Sequence, residues 1–171
     1  MTVPGDRPTM TVPGDRMDAK VARVVAAGKG LGLNIEPRTF AGETRTAQDA
    51  AREVGCEVGQ IVKSLVFEAG DQTVLLLVSG SNRVDLSKAA QVLGVDRLEK
   101  ADAEVAKTAT GYSIGATPPI GLATELTVLM DEDLLGHAKV WAAAGRPDTV
   151  FEAEPGVLAQ ATHATVCDLR A

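Results

Sequence analysis

The chain has 171 residues, a formal net charge of -6, and a composition that is 45% hydrophobic but only 3% aromatic. That length suits a single domain with a real core, and a core so poor in aromatics is built from Ala, Val, Leu and Ile and offers few rings on which bases or sugars can stack. The acidic balance excludes a protein that coats long nucleic acid, whose affinity comes from neutralising phosphates, but not one that grips only an end.

TVPGDR occurs at residues 2–7 and again at 11–16. The duplication is rich in turn formers, so residues 1–16 read as a disordered tail or a cloning scar, with the folded domain spanning 17–171. No long apolar run follows a basic start, so neither a signal peptide nor a membrane span is expected. Cys56 and Cys167 match no metal or redox spacing, which points to a reducing, cytoplasmic setting.

In chain order, Val21, Val24 and Val25 recur at helical spacing from Met17 to Ala27, with Gly28 and Gly30 as the expected stop. Residues 34–40 contain Pro37 and predict an extended or irregular strand. Thr46 and Asp49 form a capping-box pattern for a helix that Gly55 ends. QIVKSLVF (60–67) and TVLLLVS (73–79) predict strands, joined by a hairpin through Gly70 and Asp71. Asp85 caps a helix that Gly94 closes, and another short helix is expected from Asp102 to Ala109. TGYSIGATPPIG (110–121) holds too many breakers for a regular element.

LTVLM (126–130) predicts a further strand. Asp131 or Asp133 then caps a helix expected through the Ala-rich DLLGHAKVWAAAG, stopped by Gly145 and Pro147. A short strand at 149–151, a brief helix from Pro155 and a last strand at 164–169 complete the chain. This order fits an α/β (α+β) single domain, a central mixed β-sheet with packed helices.

Strand periodicity puts Lys63 on one face with Ile61, Leu65 and Phe67, and Ser64 on the other with Val62 and Val66. An ammonium among large apolar side chains finds an anion or polar partner, loses its proton, or snorkels outward. A functional lysine and a snorkelling edge lysine therefore both remain open. In the 110–121 loop, Gly115 and Gly121 allow close backbone approach while Pro118 and Pro119 stiffen it; amides of Gly115, Ala116 and Thr117 become candidate donors to an ester carbonyl or phosphate. The loop matches neither a Walker A nor a dinucleotide fingerprint.

His137 and His163 lack any zinc-ligand context, so no metal and no cofactor is expected. The run Asp131, Glu132, Asp133 reads first as a capping turn, with one carboxylate as a candidate to reach the site. Arg45, Lys63, Arg83, Lys88, Lys139 and Arg146 are candidates for a local basic rim.

TAQDAAREVGCEVGQIVKSLVF, LLVSGSNRVDLSKAAQVLG, TGYSIGATPPIG and MDEDLLGHAKVWAAAGRPDTVF, in this order, resemble the YbaK/ProX-type aminoacyl-tRNA deacylases and the editing domain inserted in bacterial prolyl-tRNA synthetases. The resemblance runs from about Thr46 to the C terminus. It implies a YbaK-like fold and a hydrolase that deacylates mischarged aminoacyl-tRNA in trans, without metal. Its implied partners are the acceptor end of aminoacyl-tRNA and an aminoacyl-tRNA synthetase, with no DNA and no membrane.

By match of motifs, the resemblance makes Lys63 the functional lysine and Gly115 a catalytic loop residue. Ser79, Gly80, Asn82, Ala116, Thr117, Pro118, Pro119, Gly121 and Leu122 become substrate-binding residues. Lys63 is expected to position and neutralise rather than act as a base, and water to attack. Two departures bear on specificity: Leu122 stands where similar loops often have His, and Gly115-Ala116 where they often have paired glycines. The alternative reading is a weakly active or inactive aminoacyl-tRNA-binding or synthetase-regulating module.

Overall fold

The computed structural model describes residues 18–41 and 46–171. The expected tail over residues 1–16, and Arg45 of the expected basic rim, lie outside the described residues.

Two runs of Val, Leu and Phe meet across the turn Gly70–Asp71 to make β2 (Val62–Ala69) and β3 (Gln72–Ser79), antiparallel in register from Val62 opposite Ser79 to Ala69 opposite Gln72. Gly70 takes the positive φ that such a tight connection demands. β3 also pairs in parallel with β5 (Thr127–Asp131), and β5 in parallel with β8 (Thr165–Cys167). β4 (Glu99–Lys100) adds to the other side of β2, giving the mixed order β4-β2-β3-β5-β8. The expected central mixed sheet is present.

A second, antiparallel sheet of order β1-β7-β6 uses β1 (Arg38–Thr39), β6 (Val140–Arg146) and β7 (Thr149–Ala153). An Ile61–Trp141 bridge joins it to the entry of β2. Val62, Leu75, Leu77 and Met130 from the large sheet pack against Val140, Ala142 and Phe151 of the small one, forming the main core. The other face of the large sheet presents Phe67, Val74, Leu76 and Leu129 to Ala89 and Leu169.

β6 overturns one expectation: residues 132–136 form only a 3-10 turn, and the Ala-rich stretch after it is a strand, not a helix. Alanine's helix propensity is a weak prior. Val140, Ala142 and Ala144 are buried while Trp141 and Ala143 are less so, the alternation of a strand packed on one face.

The helices begin and end largely where their caps place them. Thr46 and Asp49 make the reciprocal capping box of α2 (Ala47–Val54), and Asp85 caps α3 (Leu86–Leu93). Asp102 caps α4 (Ala103–Thr110) and Pro155 opens α5 (Pro155–Thr162). α1 (Ala19–Gly30) runs through the glycines expected to stop it. Gly28 is needed inside the helix for packing, because a Cβ there would sit 2.4 Å from Ile35 Cδ1.

Candidate functional site

The large sheet ends in a polar knot after β3. Gly80 turns the chain where a Cβ would come within 2.3 Å of the Val58 carbonyl oxygen, so no other residue fits without moving backbone. Ser79 is buried and acts as a strut: its Oγ donates to the Gly59 carbonyl at 2.7 Å, and its amide donates to Asp131 Oδ2 at 3.1 Å. Asn82 Nδ2 donates to Asp131 Oδ2 at 2.9 Å and to Asp133 Oδ2 at 2.7 Å. The turn therefore hangs from the buried carboxylate of Asp131, which also caps the following 3-10 turn through the amide of Asp133 at 3.0 Å.

Asp131 fills the capping role raised for the acidic run, though of a 3-10 turn and as a buried carboxylate rather than a solvated one. Its role as the anchor of Asn82 is one the sequence could not assign.

Lys63 is half-buried on β2, and its Nζ donates to the main-chain carbonyl of Asn82. Among the described residues its ammonium forms no ion pair. Burial pushes its pKa below the ordinary lysine value; the Asp131 charge opposes that shift and Arg83 adds to it.

The 110–121 loop packs from the side of the main core. Tyr112 is buried, donates its hydroxyl to the Gly121 carbonyl at 3.1 Å, and lies beneath the Arg23 guanidinium at 4.9 Å. Gly115 and Gly121 have φ of 91° and 73°, as the expected close turns require. Pro118 and Pro119 are buried, whereas Gly115 is exposed.

The amide of Ala116 donates to the Ser113 carbonyl at 3.0 Å, so it is not the ligand donor expected of it. The amides of Gly115 and Thr117 make no hydrogen bond to described residues. Leu122 packs against the main core.

Lys63 is joined to Asn82 but not by direct contact to the loop. Lys63 does not line the cavity of about 60 Å³ that lies between Ser64 to Phe67 on the strand and Ile114 and Thr117 on the loop. A larger open groove of about 610 Å³ lies at the far end of the sheet, between Gln72, Thr73, Glu104, Glu125 and Thr127. It is remote from Lys63 and shares none of the site's residues.

Among the described residues, two candidates of the expected basic rim are drawn into ion pairs elsewhere. Lys88 is held by Asp168 at 2.8 Å, and Arg146 lies between Asp18 and Asp148 on the small sheet. Lys63 and Arg83 remain as neighbouring charges at the knot. Among the described residues no group of three or more His, Cys, Asp or Glu side chains is placed to hold a metal ion. Both cysteines are free thiols, and burial pushes both pKa values up, the opposite of an activated nucleophile.

Residues 41–161 match the family described as the aminoacyl-tRNA editing domain. Among similar proteins, the uncharacterized YwhH of Bacillus subtilis is 30% identical over 128 residues, covering 74% of this chain and 81% of that one. A proline-tRNA ligase of Thermoanaerobacter is 32% identical over 53% of this chain but only 16% of its own length, so the likeness concerns one part of that enzyme. A proposed Cys-tRNA(Pro)/Cys-tRNA(Cys) deacylase, EbsC, of Enterococcus faecalis is 25% identical over 72% of this chain and 76% of its own.

A crystal structure of a proposed trans-editing enzyme for prolyl tRNA synthetase superposes with a TM-score of 0.86 at 43% identity, over 91% of this chain and 99% of that one. With its YbaK-like architecture and a family match across most of its length, this chain belongs to the aminoacyl-tRNA editing domain family.

Proposed function

We propose that this protein is a trans-acting deacylase that hydrolyses the ester between a mismatched amino acid and the 3′ end of transfer RNA, with water as the attacking group. The observation that carries the reading is Lys63: a partly desolvated ammonium, braced by the Asn82 carbonyl yet unspent on any described carboxylate. Such a charge is available to an anionic substrate, and the terminal phosphate beside an aminoacyl ester supplies one. Family membership and the names of the similar proteins support the reaction class, the acceptor end as ligand, and a prolyl- or cysteinyl-tRNA synthetase as the source of substrate.

An aminoacyl ester is already activated, and its ribose carries a vicinal hydroxyl. A site that orients carbonyl, hydroxyl and water therefore provides much of the needed rate enhancement without a protein nucleophile. Lys63 holds the phosphate or ester region, and the amides of Gly115 and Thr117 serve the oxygen as negative charge develops on it. Water adds to the carbonyl carbon, the bond to the ribose oxygen breaks, and that oxygen leaves with a proton. Two unactivated thiols and a substrate made in the cytoplasm support a cytoplasmic site of action.

Incubation with transfer RNAs charged with each small amino acid, against spontaneous hydrolysis, tests the reading. Deacylation of one or a few species is expected; tight binding of a charged acceptor end with no turnover anywhere would favour a binding or regulatory module instead.

A further inference from the structure

We propose that Arg170 is a positioning residue for Lys63: through Asp133 and Asn82 it fixes the carbonyl on which the ammonium rests. This rests on the deacylase reading and adds to that site a side chain far from the lysine in sequence.

Asn82 works at both ends. Its main-chain carbonyl takes the Lys63 ammonium, while its side-chain amide divides its protons between Asp131 Oδ2 at 2.9 Å and Asp133 Oδ2 at 2.7 Å. Asp131 is buried and also held by the Ser79 amide at 3.1 Å, which makes it a fixed anchor. Asp133 is partly exposed, and its carboxylate has water to turn to. Two carboxylates drawn to one neutral amide repel each other unless a cation stands beside them. The Arg170 guanidinium supplies that charge, its Nη1 lying 3.4 Å from Asp133 Oδ2, the same oxygen that accepts from Asn82.

Backbone pairing delivers Arg170 to this place. Val84 and Arg170 form an antiparallel bridge, with the Ala171 amide donating to the Arg83 carbonyl at 2.9 Å and the Asp85 amide to the Leu169 carbonyl at 2.7 Å. Residues 83–85 follow directly on Asn82, so the strap that carries Arg170 also holds the turn itself. Leu169 buries its side chain in the core on the outer face of the large sheet. Lys88 of α3 ties the strap down, its Nζ donating to the Arg170 carbonyl at 2.7 Å and to Asp168 Oδ2 at 2.8 Å.

An exposed ion pair adds little to folding stability. Its effect here is on position: without Arg170, Asp133 turns to water, Asn82 keeps one anchor of two, and its carbonyl is free to swing away from Lys63. Besides its burial, Lys63 feels the charges of Asp131 at the end of β5 and Arg83 on the turn. Asp133 and Arg170 stand behind Asn82 with opposite charges. Removing Arg170 as a charge alone would make Lys63 easier to protonate; removing it as a positioner makes protonation harder, because the ammonium loses its acceptor. The two effects differ in sign.

The test compares the native protein with Arg170→Gln, which keeps the backbone pairing and loses the cation, and Arg170→Lys, which keeps a cation. NMR titration of isotope-labelled lysine side chains follows Lys63, assigned by its absence from Lys63→Ala, and kcat/KM for deacylation is measured against pH. In Arg170→Gln, Lys63 is expected to lose its proton about one pH unit lower, with kcat/KM reduced about tenfold near neutrality and its alkaline limb displaced in the same direction. Arg170→Lys is expected to recover most of both. An unchanged titration and rate in Arg170→Gln, a titration displaced upward, or a loss that Arg170→Lys does not recover overturns the proposal. A native protein that hydrolyses no aminoacyl-tRNA, with the Lys63 titration still lowered in Arg170→Gln and recovered in Arg170→Lys, would refute the deacylase reading while supporting the strap.

Discussion

At the scale of single residues, the protonation of Lys63 links the site to stability. Burial lowers its pKa in the folded chain, so between that value and the ordinary one the unfolded chain binds more protons. Stability therefore rises with pH through that window, and below the folded pKa the cost of burying the charge is fully present. Activity runs the other way, because the charged form holds the substrate: kcat/KM, corrected for spontaneous ester loss, is expected to fall with pH earlier than an unperturbed lysine would allow. A flat alkaline limb would contradict a charged Lys63. The strand period singled out Lys63 as a charge among Ile61, Leu65 and Phe67 but left a functional and a snorkelling lysine equally open; the resemblance, not the period, pointed to function. Asp131 was not legible as its support, because the Asn82 amide it accepts from lies 49 positions away in the chain.

At the scale of elements, the caps were readable because they are local chemistry. Thr46 with Gly55 and Asp85 with Gly94 each bracket a helix within a few residues of their own sequence, whereas the Asp102 cap and the Gly111 stop of α4 came from the structure. β6 was misread because alanine carries little information about period: only Val140 and the bulky Trp141 mark its two faces, and the partner that makes it a strand is β7. The loop was recognised as irregular, but which of its amides stay open depends on the return of Ala116 to Ser113. The turn after β3 shows how one element serves the site. Gly80→Ala would drive a Cβ into the Val58 carbonyl, and the backbone shift displaces Asn82 from Lys63. A loss of about 2 kcal/mol in unfolding free energy, together with reduced deacylation, is expected from denaturation and rate measurements.

At the scale of the whole molecule, an acidic chain that handles transfer RNA does so at a point rather than over a surface. The net charge is -6, and the basic residues that might have formed a rim are divided, Lys88 to Asp168 and Arg146 to Asp18 and Asp148. With Lys63 and Arg83 as the local cations, about two phosphates are neutralised, so the slope of log affinity against log salt is expected near -1.4. A slope several times steeper would mean an extended basic surface and a broader hold on the transfer RNA.

The most direct measurement is the deacylation rate of Lys63→Ala beside the native protein, on the aminoacyl-tRNA the native protein hydrolyses best, with thermal unfolding of both. Removing a buried amine whose charge is disfavoured should leave the melting temperature unchanged or higher. The rate should fall at least about 100-fold, the scale of losing one pre-positioned electrostatic contact. A variant equally stable and equally fast would contradict the account, because Lys63 would then be no more than a strand residue reaching for the nearest carbonyl.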